Sequence, residues 1–491
     1  MLPIHSVAQM REMDARLAAD VPMERVIERA GFGVAALAAR ILRRSYGAKV
    51  LVVVGRGNNG NDGRAAAKVL SSLGARVVIE AYDPSARLSS AEADLVIDAV
   101  FGFGFHGDFD GLGEVGRAEM LALDLPSGLD ADSGTACLAT ARASFTLSLL
   151  GLKLGQLIND GPRLCGETYL YPLHGSPRVD SVGSLVLPED ISILPRDVSS
   201  HKWSSGLAVF GGSVGMSGAA IMASSAALRA GAGIVHLFAQ DPSTALAVAA
   251  RFPEVVVRTP SFDREGGHFS GDLDLSKFRA LVIGPGLGKD AGEILRAVSG
   301  IFPGPLVIDA DAVVAIGEDP RLLGNVANRA SPSILTPHAG ELARLMNGIK
   351  GKLDHAALGE FAVRNGLVLL VKGFPTRIYS PDGRFYVVPS NGPALATAGT
   401  GDVLSGVIGA RIAVGGSDAL TVAEGVMIHG LAAQVNPGPP LTSMELLERI
   451  PEAMRLLRSS KHFWSPGAFV PIGSRGPLYF AHQSNIEWRT T

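Results

Sequence analysis

Between Lys49 and Gly74 the chain passes from an unbroken β-branched run, KVLVVV, through GRGNNGNDG into a helical pattern, AAAKVLSSLG. An apolar run closed by glycines and followed by helical periodicity predicts strand, tight turn and helix. Before it, residues up to about Arg44 alternate helical faces, with Arg16, Arg25 and Glu28 on the polar side. After it, short apolar runs at 76–80, 94–102, 120–128, 144–150 and 167–171 predict further strands. Strands of this kind, separated by helix-like or turn segments, are the mark of an α/β layer with a mostly parallel sheet. Residues 1–179 are expected to form it. Pro177, Pro188 and Pro195 interrupt the next stretch, which has no helical period, so 180–200 reads as a connector. The pattern restarts at residue 201: a strand and loop at 206–213, a helix of small residues, several more strands, then helical patterns at 402–413, 419–434 and 443–457. Residues 201–458 are therefore expected to be a second, larger α/β domain. The tail, 459–491, shows no period, and pattern alone assigns it to neither domain.

Composition narrows the possibilities. At 491 residues the chain is long enough for two to four domains, and 47% hydrophobic content excludes disorder as its dominant state. A formal net charge of −3 argues against a protein that grips nucleic-acid backbones. Two cysteines, Cys137 and Cys165, exclude a disulfide framework and a multi-cysteine metal site. No apolar run reaches the roughly 18 residues of a membrane span. Charges occupy the N-terminal stretch where a signal peptide needs its apolar core. The expectation is a cytoplasmic homo-oligomer acting on small molecules, with no nucleic acid or membrane partner.

The turn Gly55-Arg56-Gly57-Asn58-Asn59-Gly60 has G-x-G-x-x-G spacing, and Glu80 follows about 20 residues later, as in a dinucleotide fingerprint. The turn also holds Asn58, Asn59, Asn61 and Asp62, and a carboxylate there would repel a pyrophosphate. A strand–helix turn capped by Asn and Asp fits as well. Two more strand ends bear on the choice. Asp98 precedes the loop Gly102-Phe103-Gly104-Phe105-His106-Gly107-Asp108, and Asp124 precedes Pro126-Ser127-Gly128. Ligands of open parallel sheets sit outside the carboxyl ends of the strands. Here those ends offer amide, carboxylate and hydroxyl oxygens, which suit a hard cation, and one carboxylate is a candidate general acid/base.

In the second half, Asn391-Gly392-Pro393-Ala394-Leu395-Ala396-Thr397-Ala398-Gly399-Thr400-Gly401-Asp402 opens a helix. Glycines at a helix N-terminus present backbone N–H groups at the positive end of the dipole, and an aspartate there can act as a base beside a bound phosphoryl group. An ordinary N-cap aspartate is the plainer reading. Lys372-Gly373-Phe374-Pro375-Thr376 follows a strand and offers a lysine and backbone to phosphates, or is simply a turn. Gly284-Pro285-Gly286-Leu287-Gly288 and Asp309-Ala310-Asp311 end two other strands. His338 either caps a helix or meets substrate. The segment GGSVGMSG lacks the Gly-Lys-Ser/Thr ending of a P-loop.

Together, GRGNNGNDG, VIDAVFGFGFHGD and LDLPSGLDADSG resemble the NAD(P)H-hydrate epimerase family. HKWSSGLAVFGGSVGMSGAA, VIGPGLG, DADAV, LTPHAGEL, VKGFPT and ATAGTGDVLSG resemble the ADP-dependent NAD(P)H-hydrate dehydratase family over about 201–457. The resemblance implies a Rossmann-like three-layer domain followed by a ribokinase-like α/β domain. It implies that Asn58, Asn59, Gly60, Asn61, Asp62, Gly102, Phe103, Gly104, Phe105, His106, Gly107 and Asp108 line the first hydrate site. There Asp124 would contact substrate and move the proton, and Asn59, Asp98 and Ser127 would hold a potassium ion. In the second domain, Ala220, Gly286, His338 and Asp402 would contact the hydrate, with Asp402 as the base. Lys372, Gly373, Phe374, Pro375, Thr376, Gly392, Ala398, Gly399, Thr400 and Gly401 would bind ADP, with magnesium accompanying the nucleotide. The implied function is bifunctional: epimerisation of NAD(P)H-hydrate and ADP-dependent dehydration of its S form. The alternatives are a ribokinase-like small-molecule kinase, or a dehydratase whose first domain only binds. The connections from Glu80 to Asp94 and from Asp108 to Met120 are short for flanking helices.

Overall fold

The computed structural model describes residues 1–84, 92–113, 116–173, 179–193, 197–263, 265–270, 273–346, 354–389, 392–435, 441–459 and 470–472. The chain divides into two compact units that meet in sequence between Leu185 and Val186.

The first unit contains β1 (Leu2–His5), α1 (Val7–Asp20), α2 (Met23–Leu42), β2 (Lys49–Val54), α3 (Asn58–Ser72), β3 (Arg76–Ala81), β4 (Leu95–Ala99), β5 (Glu119–Leu123), β6 (Phe145–Leu149), β7 (Leu152–Lys153), α4 (Gly161–Leu164), β8 (Glu167–Tyr171) and β9 (Gly183–Leu185). Its main sheet runs β8-β6-β5-β4-β2-β3, all parallel. The predicted strand–turn–helix is β2, the glycine turn and α3. Val50, Val52 and Val54 share one core with α2 and α3, while Leu51 and Val53 face the other side, as strand alternation requires. On that second side no α-helix occurs among the described residues of the two short connections. Aromatic rings cover the sheet instead: Tyr82, Phe101, Phe105 and Phe109 pack with centroids 5.1 to 6.4 Å apart. Among the described residues, this second flanking layer is therefore largely loop.

The second unit contains β10 (Gly206–Phe210), α5 (Ser217–Arg229), β11 (Ile234–Phe238), α6 (Pro242–Arg251), β12 (Val256–Arg258), a small hairpin of β13 (Phe262–Asp263) and β14 (His268–Phe269), β15 (Ala280–Ile283), α7 (Ala291–Ile301), β16 (Leu306–Ile308), α8 (Asp311–Glu318), α9 (Arg321–Val326), β17 (Ser333–Leu335), α10 (Ala339–Leu345), α11 (His355–Arg364), β18 (Val368–Val371), β19 (Thr376–Tyr379), β20 (Phe385–Val388), α12 (Thr400–Gly415), α13 (Ala419–Ala432) and α14 (Ser443–Ser459). Its strands run β12-β11-β10-β15-β16-β17-β18-β19-β20. They are parallel as far as β18, with β19 and β20 antiparallel. The parallel stretch brings the loops after β10, β15, β16, β17 and β18 to one edge of the sheet. α12 is buried along most of its length and crosses that sheet as a core helix.

The tail is not wholly without regular structure. Val470–Ile472 forms β21, antiparallel to β8, and extends the first unit's sheet. The rest of the tail beyond Ser459 lies outside the described residues.

Candidate active sites

The glycine turn after β2 is forced by close approach. A Cβ at Gly55 would stand 2.1 Å from the Val100 carbonyl oxygen, and one at Gly60 2.1 Å from that of Gly55. Folding the turn so tightly places Asn58, Asn59 and Asp62 on the wall of a cavity of about 710 Å³. Gly102, Phe103, Gly104, Phe105 and Asp124 line it too. Gly60, Asn61, His106, Gly107 and Asp108 do not, so the expected lining is brought together only in part.

Asp124 adopts a positive φ of 69° directly after β5. Its Oδ2 accepts from the Phe103 N–H at 2.9 Å, and its Oδ1 is ion-paired with Lys153 Nζ. Lys153 is completely buried and also donates to the Leu149 carbonyl at 2.7 Å. Gln156 Nε2 donates to the Asp124 carbonyl at 2.8 Å. Lys153 was not singled out by the sequence reading, although a lysine inside the apolar run LLGLKLG is a signal. Asp14 was also missed. It shares the cavity with Met10, Leu17 and Ala18 on one face of α1, a carboxylate set into an apolar stripe. Burial, then the nearby Asp124 charge, pushes Asp14 up to about 6 and Asp62 up to about 8. Arg56 and Arg64 are further cavity residues the sequence reading passed over.

Asp98 and Ser127 lie behind this wall. Asp98 Oδ1 accepts from Ser127 Oγ at 2.6 Å and Oδ2 from the Ser127 N–H at 2.8 Å. Ser127 Oγ accepts from the Phe101 N–H at 2.9 Å. Asp98 is fully buried, and burial raises its pKa despite the hydrogen bonds from Ser127 and Val100. Asn59 Nδ2 donates to the Leu123 carbonyl at 3.2 Å. That bond turns Asn59 Oδ1 toward Gly102, where Asp124 Oδ2 also points.

In the second unit, Gly399 caps α12 with φ +86°, a left-handed conformation suited to glycine. Asp402 sits in the first turn. Burial, then Asp309, pushes it up to about 7, with Lys372 opposing and Asp311 and Glu341 adding to the rise. Lys372 Nζ is paired with Asp309, which is 1% exposed at its side chain and also accepts from Ser405 Oγ. A Cβ at Gly401 would lie 3.4 Å from Lys372 Nζ, so lysine and helix N-terminus adjoin. Thr400 Oγ1 donates to the Leu395 and Thr397 carbonyls at 2.8 and 2.9 Å, tying down the preceding loop. Ala398 is exposed beside Gly399. Gly373 is also exposed, whereas Thr376 is buried with its hydroxyl on the Gly373 carbonyl at 3.2 Å. Phe374 lies against Gly392, and the Phe374–Pro375 peptide is cis. Asn391 lies outside the described residues.

The remaining predicted contacts divide. Gly286 closes a loop held by Gly288 N–H donating to Asp311 Oδ2 at 2.8 Å. A Cβ at Gly286 would meet the Met216 carbonyl at 2.7 Å. Ala220 is wholly buried in the core and packs beside Gly212. His338 does cap a helix: its Nδ1 accepts from the Gly340 and Glu341 N–H groups, while Glu341 Oε2 accepts from the His338 N–H at 2.9 Å. Nε2 stands 3.4 Å from Glu341 Oε1, and 60% of the histidine side chain is exposed.

Two family descriptions match this chain: NAD(P)H-hydrate dehydratase over residues 207–452, and YjeF-related protein N-terminus over 23–91 and 80–155. A bifunctional NAD(P)H-hydrate repair enzyme of Thermofilum pendens is 32% identical, over 93% of this chain and 97% of its own. The chain belongs to the bifunctional NAD(P)H-hydrate repair enzyme family. A Moorella thermoacetica member of that family is also 32% identical, over 92% of this chain and 96% of its own. Among solved structures, the ADP/ATP-dependent NAD(P)H-hydrate dehydratase of Bacillus subtilis, co-crystallised with ATP and Mg2+, is 27% identical and covers 54% of this chain and 94% of its own, with a TM-score of 0.45. The two family matches fall one on each unit.

Proposed function

We propose that the first unit interconverts the R and S forms of NAD(P)H-hydrate and that the second dehydrates the S form with ADP, releasing AMP and phosphate. The observation that carries this reading is the pairing of two family-matched units, the second with Asp402 half-buried at a helix N-terminus beside Lys372.

In the second unit, Asp402 takes the proton of the ring hydroxyl, and that oxygen attacks the β-phosphorus of ADP. AMP leaves, and phosphate then departs from the ring as an adjacent carbon gives up a proton, restoring the dihydronicotinamide double bond. An aspartate raised to about 7 is matched to accepting a proton near neutrality. Lys372 and the N–H groups of the Gly399–Gly401 turn stabilise the phosphoryl charge in transit. We assign ADP to the segments 372–376 and 392–401, the hydrate to Gly286, His338 and Asp402, and magnesium to the nucleotide's own phosphates. Ala220 belongs to this set only as core wall.

In the first unit, Asp124 moves the proton at the hydroxylated ring carbon, oriented by Lys153 and the Phe103 N–H. The potassium assignment to Asn59, Asp98 and Ser127 fits the donor chemistry. All three present oxygen, and Asp98 is a buried carboxylate that no cationic group offsets among the described residues. A bound potassium ion would supply that counter-charge and fix the two loops. The test is to give the protein mixed hydrate epimers with and without ADP. Epimer exchange without ADP and stoichiometric AMP, phosphate and reduced nicotinamide with ADP are the expected results.

A further inference from the structure

His429 lies on α13 and is buried to 4% exposure. Its Nε2 stands 2.9 Å from the carbonyl oxygen of Thr400, the first residue of α12. A carbonyl cannot donate, so Nε2 carries the hydrogen and the imidazole is the donor. Burial lowers the histidine to about 4, which keeps it neutral across the physiological range. The ring is therefore a fixed neutral donor.

What it grips matters. The Thr400 carbonyl and the Gly401 N–H belong to one peptide plane, and in a trans peptide they point in opposite directions. Fixing the carbonyl toward α13 aims the Gly401 N–H away from α13. A Cβ at Gly401 would lie 3.4 Å from Lys372 Nζ, and Asp402 follows Gly401 directly. Thr400 is held at its other end by its hydroxyl on the Leu395 and Thr397 carbonyls. Gly401 brings no side chain to hold its own peptide, and Gly399 gives the turn conformational freedom. The hydrogen bond also polarises the peptide and strengthens its N–H as a donor.

We propose that His429 is a positioning residue for dehydration, one that orients the Gly401 N–H toward the phosphoryl group in transit. The inference rests on the proposed dehydratase reading and adds to it a residue that touches neither substrate nor nucleotide. It acts through peptide orientation and not through charge.

The test compares His429→Gln, whose amide can donate from a similar place, with His429→Leu, which fills much of the space and cannot donate. Both are measured in the full chain with ADP and the hydrate, following kcat, the KM for ADP, the Tm and epimer exchange. Misaiming one preorganised donor should cost less than the 10²–10³-fold of losing one outright, so a kcat loss of roughly 10–10²-fold is expected for Leu. KM for ADP should change less than about threefold, since Lys372 and the other backbone donors remain. Gln should recover kcat to within about threefold of wild type. Epimer exchange should not move. A folded Leu variant with wild-type kcat overturns the proposal, as does a folded Gln variant as impaired as Leu. If the Leu variant does not fold, the Gln variant decides alone: folded and losing more than about tenfold in kcat, it refutes the donor role. Failure of the wild-type protein to consume hydrate with ADP would instead overturn the reading of the whole site.

Discussion

Lys153 places its ammonium on the carboxylate of Asp124 inside the first unit, with the lysine side chain 0% and the aspartate 6% exposed. The two are far enough apart in sequence that only the fold brings them together, Lys153 from β7 and Asp124 from the end of β5. A buried pair of this kind is costly to break, because the surviving charge has nowhere to go. Lys153→Met should therefore destabilise the first unit by about 3–5 kcal/mol and abolish epimer exchange. Adding Asp124→Leu should return part of the stability and none of the activity. Thermal unfolding with an exchange assay checks both. A Lys153→Met variant of normal stability would show that the pair is not the anchor described here.

Asp402→Asn should reduce dehydration by about 10²–10⁴-fold, because an amide cannot accept the hydroxyl proton. ADP binding should persist or tighten, since a negative charge beside phosphates is removed. Epimer exchange should be untouched. Wild-type dehydration should fall as pH drops below about 7, where Asp402 becomes protonated. The checks are ADP titration, exchange without ADP, and a pH profile of turnover.

The first unit should lose stability as pH rises. Asp14 is raised to about 6 and Asp62 to about 8, so between roughly pH 4 and 8 the folded state binds more protons than the unfolded. Stability from these groups is full below the unfolded carboxylate pKa and disappears as pH climbs through the folded values. Asp62→Asn should flatten that decline and raise Tm at pH 8.5 relative to wild type. Tm measured from pH 5 to 9 decides it. Equal slopes in wild type and variant would contradict the assignment.

Asp98→Ala removes the only formal charge among Asn59, Asp98 and Ser127. Epimer exchange should lose its response to potassium while dehydration continues. Exchange rates measured in potassium and in a large organic cation check this, and an unchanged potassium response would place the ion elsewhere.

Removing the chain after Ser459 should leave dehydration intact and lower the stability of the first unit by about 1–3 kcal/mol, the net worth of a few ladder hydrogen bonds between β21 and β8. The two units' unfolding, followed separately by loss of exchange and loss of dehydration on heating, reads out the difference.

The sequence was most informative where chemistry is local. Gly399 to Asp402 lie within one turn, so glycine freedom, helix polarity and a poised carboxylate were visible together. The parallel strands were legible as apolar runs, and the two connections that read as short for flanking helices carry no α-helix among their described residues. What escaped were partners made by distant chain. Asp309 holds Lys372 and Ser405 from 63 and 96 positions away, and His429 reaches Thr400 across 29. No periodicity encodes those pairings. Asp14 was not singled out, and only the folded α1 brings it to the cavity wall. His338 was open to capping and to substrate contact; its Nδ1 caps α10, while its side chain stays 60% exposed.

One experiment reaches both reactions of this chain. Purified R-hydrate is supplied with ADP, magnesium and potassium, and reduced nicotinamide, AMP and phosphate are counted over time for wild type, Asp124→Asn and Asp402→Asn. Wild type should give one AMP and one phosphate per reduced nicotinamide recovered. Recovery should be limited to spontaneous epimerisation in Asp124→Asn, and S-hydrate should accumulate without recovery in Asp402→Asn. A stable phosphorylated product, or full-rate recovery from R-hydrate in Asp124→Asn, would contradict the proposed pair of reactions.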